Sequence, residues 1–244
     1  SMLGYRVSDR ISAFEKDIDT SLLDWSGTIA DYGAAYLFFA YVSERFGGVP
    51  AIASIMNNRS NGTRGIERAL SGLGKSVSFH NVFSDWVVAN YLDDPQLDDG
   101  VYGYKTLDIH LGPSEVERLY PIARKTSKVK PWAARYTEFN KDLDDILSLT
   151  VYKDDGTDIV AQLIEFGNKT AVSSVKLGKV QSGTALVPPA GRKAVLVVTS
   201  QPNPLIQEGD YSDYKYSAEV QADITPVEPS SNRKITTWGA LKHR

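Results

Sequence analysis

The side chains able to do chemistry in this sequence are few and scattered. There are three histidines, His80, His110 and His243, and no cysteine. A hydrolytic zinc centre needs two histidines one helical turn apart and a third ligand. No two of these histidines are neighbours in sequence. His80 falls at a predicted helix start and His110 on a predicted strand face, so both suit capping or surface roles. The sequence holds no Gly-x-Ser-x-Gly elbow, no phosphate-binding loop and no dinucleotide fingerprint. The acidic run Asp93-Asp94-Pro95-Gln96-Leu97-Asp98-Asp99 offers oxygen ligands for calcium, but not in the EF-hand order, and reads as a solvated loop. Tyr32 stands apart. It places a hydroxyl at the mouth of an otherwise apolar helix, where Phe or Leu would ordinarily serve. Either the hydroxyl bonds a backbone carbonyl or it has a polar task.

The helix that positions Tyr32 is the most legible element of the chain. Asp31 is its expected cap, Gly47-Gly48 its left-handed end, and Pro50 forbids simple continuation. Tyr32, Ala35, Tyr36, Phe39 and Phe46 follow the spacing of one face, while Leu37, Phe38 and Tyr41 cover the others. Such a helix should be buried on nearly all sides. It is too short to span a bilayer.

Other helices frame it. Ser8 or Asp9 caps a short one carrying Ile11 and Phe14. Pro50 suits the first turn of the next, through Ile52, Ile55 and Met56. Thr63 caps one through Ile66 and Leu70. Ser78 opens a stronger one with a stripe of Val82, Phe83, Trp86, Val87, Asn90 and Tyr91. The period then changes from 3.6 to 2 between Asp94 and Lys105. Leu107, Ile109 and Leu111 alternate with polar residues, as do Trp132, Ala134 and Tyr136, then Leu147, Leu149 and Val151, and Tyr214, Tyr216, Ala218 and Val220. Stretches 159–166 and 193–200 are further strands. About eight short strands separated by turn signals point to a β-sandwich. The expected fold class is therefore α+β and multidomain. A helical subdomain spans residues 1–100, an antiparallel sandwich 101–226, and a linker and tail 227–244.

Composition restricts the function classes. The 244 residues are 42% hydrophobic and 23% charged, with a net charge of −3, so nothing points to a nucleic-acid or anionic-membrane partner. The basic stretch 124–130 lacks interleaved aromatics and reads as a solvated loop. The absence of cysteine excludes a disulfide framework, cysteine nucleophiles and thiolate metal sites. No transmembrane run is present.

Four segments carry a resemblance. They are Asp31-Tyr32-Gly33-Ala34-Ala35-Tyr36-Leu37-Phe38, then Phe46-Gly47-Gly48 with Gly65-Ile66, then Val82-Phe83-Ser84-Asp85-Trp86-Val87-Val88-Ala89-Asn90-Tyr91-Leu92-Asp93-Asp94-Pro95. Together they resemble the region after the zinc-binding helices in bacterial secreted metallopeptidases of the gluzincin type, especially the hyicolysin-like and immune-inhibitor-A-like groups. The likeness covers about residues 1–105. In those enzymes a His-Glu-x-x-His helix supplies two zinc ligands and the general base, and a glutamate on the next helix is the third ligand. This sequence contains no His-Glu-x-x-His.

The resemblance therefore implies the C-terminal part of an exported or cell-surface zinc peptidase, inactive alone. Zinc would belong to the longer parent and no cofactor to this chain, and peptide substrates would be engaged through residues upstream. It also implies a role for Tyr32 as donor to the oxyanion of the tetrahedral intermediate, with Tyr36 as the alternate because the glycine spacing differs from the family pattern. Two other readings stand beside it. One is a non-catalytic module binding carbohydrate or protein at the cell surface, with Trp132, Tyr152, Tyr211 and Tyr214 as an aromatic platform or, more simply, as sheet packing. The other is a degenerate peptidase homologue with a scaffolding role.

Overall fold

The computed structural model describes residues 6–142, 145–177, 182–187, 191–203 and 211–222. The expected tail around Trp238, and His243, lie outside the described residues. Five helices come first: α1 (Val7–Lys16), α2 (Ile29–Phe46), α3 (Val49–Met56), α4 (Gly62–Gly72) and α5 (Phe79–Leu92). A 3-10 turn, Leu97–Gly100, follows. Nine strands are described after it: β1 (Glu115–Glu117), β2 (Ile122–Val129), β3 (Ala134–Asn140), β4 (Asp145–Lys153), β5 (Ile159–Phe166), β6 (Thr170–Val175), β7 (Ser182–Val187), β8 (Lys193–Ser200) and β9 (Ser212–Ala222). This is the expected α+β architecture, helices first and then a β-sandwich.

The strands form a five-stranded sheet ordered β1-β3-β8-β5-β6 and a four-stranded sheet ordered β2-β9-β4-β7. Every pairing between these strands is antiparallel except β1 with β3. Central strand β8 shows why the sequence 194–198 is apolar without alternation. Val195 and Val197 join a cluster with Phe38, Phe83 and Trp86 of the helices, whereas Ala194, Leu196 and Val198 join Leu149, Leu163 and Tyr216 between the sheets. A strand covered on both faces has no solvent side on which to place polar residues. The five-stranded sheet is thus the middle layer, and the helices share a hydrophobic cluster with it.

Several local expectations need correction. Stretch 105–113, with its period-two pattern, joins no strand. Carboxylates from the helices take its backbone donors. Asp93 accepts from the amides of Tyr104 (2.9 Å) and Ile109 (2.8 Å). Glu44 accepts from those of Lys105 (2.6 Å) and Thr106 (3.2 Å), and Glu15 from that of His110 (2.8 Å). With its amides so engaged it forms a strap over the helices, with Ile109 and Leu111 buried against them.

Residues 124–129 are not a loop but most of edge strand β2, paired to β9. Lysines on an edge strand discourage pairing with a further polypeptide. Trp132 precedes β3 at positive φ (54°) instead of alternating within it, and packs between Phe79 and Phe83. Two helix starts also lie earlier than expected. The N-cap of α1 is Arg6, and that of α4 is Asn61.

Candidate functional site

Helix α2 begins at Thr28, not at Asp31. The Thr28 hydroxyl accepts from the Asp31 amide (3.3 Å), and the Asp31 carboxylate accepts in return from the Thr28 amide (2.8 Å). Asp31 also accepts from the Ser26 amide (3.1 Å) and hydroxyl (3.0 Å), so one buried carboxylate fixes both the helix start and the loop before it. Tyr32 accordingly sits at the end of the first turn. The helix ends as expected, at Gly47 with φ 118°, and the Gly48 amide donates to the Ser43 carbonyl (2.7 Å).

The helix is not buried on nearly all sides. Ala34, Leu37, Phe38, Tyr41 and Val42 face the core, but Tyr36 is 39% exposed and Phe39 41%. The stripe Tyr32, Ala35, Tyr36, Phe39 and Ser43 instead forms the floor of a groove of about 650 Å³. Its sides come from Arg10 on α1, Ile52 on α3 and Thr106 on the strap, with Glu44 at one end. This volume lies within the usual range for small-ligand sites. Both apolar stripes of α2 looked equally suited to the core. Helices α1 and α5, with the five-stranded sheet behind them, occupy only one side.

The two tyrosines singled out by sequence therefore share one groove. The Tyr32 ring meets the edge of Trp25 (centroids 4.7 Å, interplanar angle 80°), and the Arg10 guanidinium carbon lies 5.1 Å from its centroid. Neither Tyr32 nor Tyr36 makes a hydroxyl hydrogen bond among the described residues, so the simple backbone role for Tyr32 is not what this geometry shows. Glu44 is committed otherwise: it accepts from two strap amides and from the Thr106 hydroxyl.

The other sequence candidates lie apart. His80 is on the first turn of α5, its Nδ1 3.0 Å from the Gln201 side-chain oxygen. Gln201 in turn donates to Ser84 (2.8 Å) and Thr199 (2.9 Å), which ties α5 to β8. His110 is on the strap, not on a strand, and its Nε2 lies 3.5 Å from Asp108. Among the described residues no group of three or more His, Asp or Glu side chains is placed to hold a metal ion. The acidic loop spends Asp93 on the strap and Asp94 on the Gln96 amide (2.9 Å). Of the four aromatics proposed as a platform, Trp132 (3% exposed) and Tyr214 (1%) are buried. Tyr152 is covered by Arg124 at 3.9 Å and Tyr211 by Lys128 at 4.4 Å.

One titratable group escaped the sequence reading. Burial pushes the Asp85 carboxyl up to about 6; Arg45 draws it down and Asp98 pushes it further up. A carboxylic acid that ionises late in the folded state makes folding less favourable as pH rises. The unfolded polypeptide releases that proton near the ordinary carboxyl value of 3.8, and the folded protein only near 6. Stability from this group is therefore lost between about pH 4 and 6 and stays lost above. Asp85→Asn should remove the slope, leaving stability at pH 4 unchanged and raising it at pH 8 by about 2 kcal/mol, a figure discounted because the group is only half-buried. Urea unfolding of both proteins at the two pH values is the check, and a variant no more stable than wild type at pH 8 would contradict it.

The fold and groove define an α+β protein with an open helical face on a β-sandwich. No family model matches the chain, and no curated protein matches it. Among solved structures it is similar to the pre-peptidase C-terminal domain of a collagenase from Bacillus anthracis, with 13% identity and a TM-score of 0.33, over 44% of this chain and 98% of that one. It is also similar to a periplasmic inhibitor of g-type lysozyme from Aeromonas hydrophila, with 8% identity and a TM-score of 0.34, over 44% and 96%.

Proposed function

We propose that this chain is the C-terminal part of an exported, gluzincin-type zinc metallopeptidase and is inactive alone. In the whole enzyme the open face of α2 forms one wall of the peptide cleft. The observation that carries this reading is the pairing of Tyr32 and Tyr36 in the α2 groove with no hydrogen-bond partner for either hydroxyl among the described residues. A phenol positioned on a rigid helix and left unpaired is available to a developing oxyanion. The zinc ligands and the general base belong, on this reading, to residues encoded before residue 1. Tyr32 is the oxyanion donor and Tyr36 the alternate.

Metal analysis and a casein digestion assay test this. The purified 244-residue protein should carry far less than one zinc per molecule and leave casein intact. The longer protein, including the upstream encoded residues, should hold zinc and lose its activity on chelation. Stoichiometric zinc with chelator-sensitive cleavage by this chain alone would sink the idea. An upstream segment without His-Glu-x-x-His would favour a scaffolding homologue. The binding-module reading now rests on Tyr152 and Tyr211, since the other two aromatics are buried, and a glycan or cell-wall binding screen addresses it.

A further inference from the structure

The geometry points to Arg10 as the anchor for a peptide carboxylate at one end of the α2 groove. The inference rests on the reading of that groove as a peptide cleft and adds to it a recognition element for the ligand. Arg10 projects from α1 over the Tyr32 ring, and among the described residues its guanidinium has no carboxylate and no hydrogen-bond acceptor. An unpaired arginine at a surface is ordinary. Arg10 differs because it lies over the Tyr32 ring, where a cation is attracted to the ring face, and because it lines a concave groove whose floor is mostly apolar. A planar fork of donors held in place is well matched to a carboxylate.

The two ends of the groove have opposite electrostatic character. At the far end Glu44 already accepts from the amides of Lys105 and Thr106 and from the Thr106 hydroxyl. At the near end the positive charge of Arg10 has no such partner. From Tyr32 to Glu44 is twelve residues of helix, a run of about 18 Å. An extended peptide covers that distance with about five residues. Such a segment would lay apolar side chains on Tyr36, Phe39 and Ile52 and bring a carboxylate to Arg10. The carboxylate is either the C-terminal group of the peptide or the side chain of an acidic residue.

The test uses this protein and three N-acetylated five-residue peptides of one apolar sequence. One ends in a free carboxylate, one in an amide, and one in a glutamate whose own C-terminus is amidated. Binding is read by calorimetry and by emission of Trp25, which is exposed and touches Tyr32. The free acid should bind about tenfold more tightly than the amide, the scale of one charge-assisted contact in a partly wet site. Arg10→Met should erase that difference at unchanged melting temperature, and Arg10→Lys should keep part of it.

If the glutamyl amide also binds tightly, carboxylates on acidic residues are accepted. If it binds like the plain amide, the terminal carboxylate of the peptide is the group recognised. Either result supports the anchor. Equal binding of all three peptides to the wild-type protein overturns the anchor but leaves the cleft reading intact. No binding of any peptide at millimolar concentration overturns both. The comparison of acid with amide uses the unaltered protein, so it stands even if a variant fails to fold.

Discussion

Replacing Gly33 with valine should cost about 3 kcal/mol of stability, a fall of roughly 6–12 °C in melting temperature for a protein of this size. Gly33 sits within α2 where α1 crosses it. A methyl group there would overlap the Arg10 carbonyl oxygen and crowd the Phe14 β-carbon at 2.9 Å. The first of these neighbours is backbone, and it has no flexible tip that could swing aside. Helix propensity works the other way, since glycine inside a helix is worse than alanine by about 1 kcal/mol. Gly33→Ala should therefore lose less than Gly33→Val but still lose, because contact with a carbonyl oxygen outweighs the propensity gain. Gly72→Ala, at the end of α4 with nothing within 4 Å, is the control and should be neutral or slightly stabilising. Thermal melts of the three variants decide it. A Gly33→Ala protein as stable as wild type would mean that α1 moves off α2 at little cost. The same crossing sets where Arg10 lies against Tyr32, so on the cleft reading proposed above Gly33→Val should also weaken peptide binding.

What the sequence revealed and what it hid follow from the range of the interactions concerned. The C-terminus of α2 and the start of α5 are legible because Gly47 and Ser78 act within four residues of themselves, whereas the start of α2 lies at Thr28 and not at the expected Asp31. The apolar run of β8 was legible as buried. Its reason, a sheet covered on one face by helices and on the other by a second sheet, belongs to the whole fold. The strap at 105–113 escapes a local reading for the same cause. Its period-two pattern is real, but its backbone donors go to Asp93, Glu44 and Glu15, partners up to 95 residues away that no local pattern announces.

Arg10 and Asp85 were missed as functional groups because neither is unusual in sequence; one is unpaired and the other half-buried only through folding. A signal for the first was present. Gly33 in the middle of an otherwise unbroken apolar helix marks a close crossing, and the residues of the crossing helix become candidates for the same surface. Which stripe of α2 stays open could not be read, because tyrosine, alanine and phenylalanine occupy both.

On the reading proposed above, the effect of removing the Tyr32 hydroxyl should divide sharply between this chain and the longer peptidase it would belong to. Here the hydroxyl has no hydrogen-bond partner among the described residues, while the ring keeps its edge contact with Trp25 and its cation–π contact with Arg10. Tyr32→Phe retains the ring and should leave the melting temperature of this protein nearly unchanged. In the longer protein, taken as the zinc peptidase proposed above, the same change should lower kcat about a hundredfold, on the order of 3 kcal/mol, the usual loss for one oxyanion donor. KM should move little, because the contact is made to charge that develops only in the transition state. Tyr36→Phe is the companion variant, since that residue lines the same groove one turn further along. Loss of turnover in the second variant but not the first assigns the donor to Tyr36. Wild-type turnover in both removes the oxyanion role from this face of α2, and the groove would then serve substrate binding alone. The short and the long protein must be compared, because a tyrosine needed only for packing would lower the melting temperature of the short one, whereas a donor held for a transition state would not.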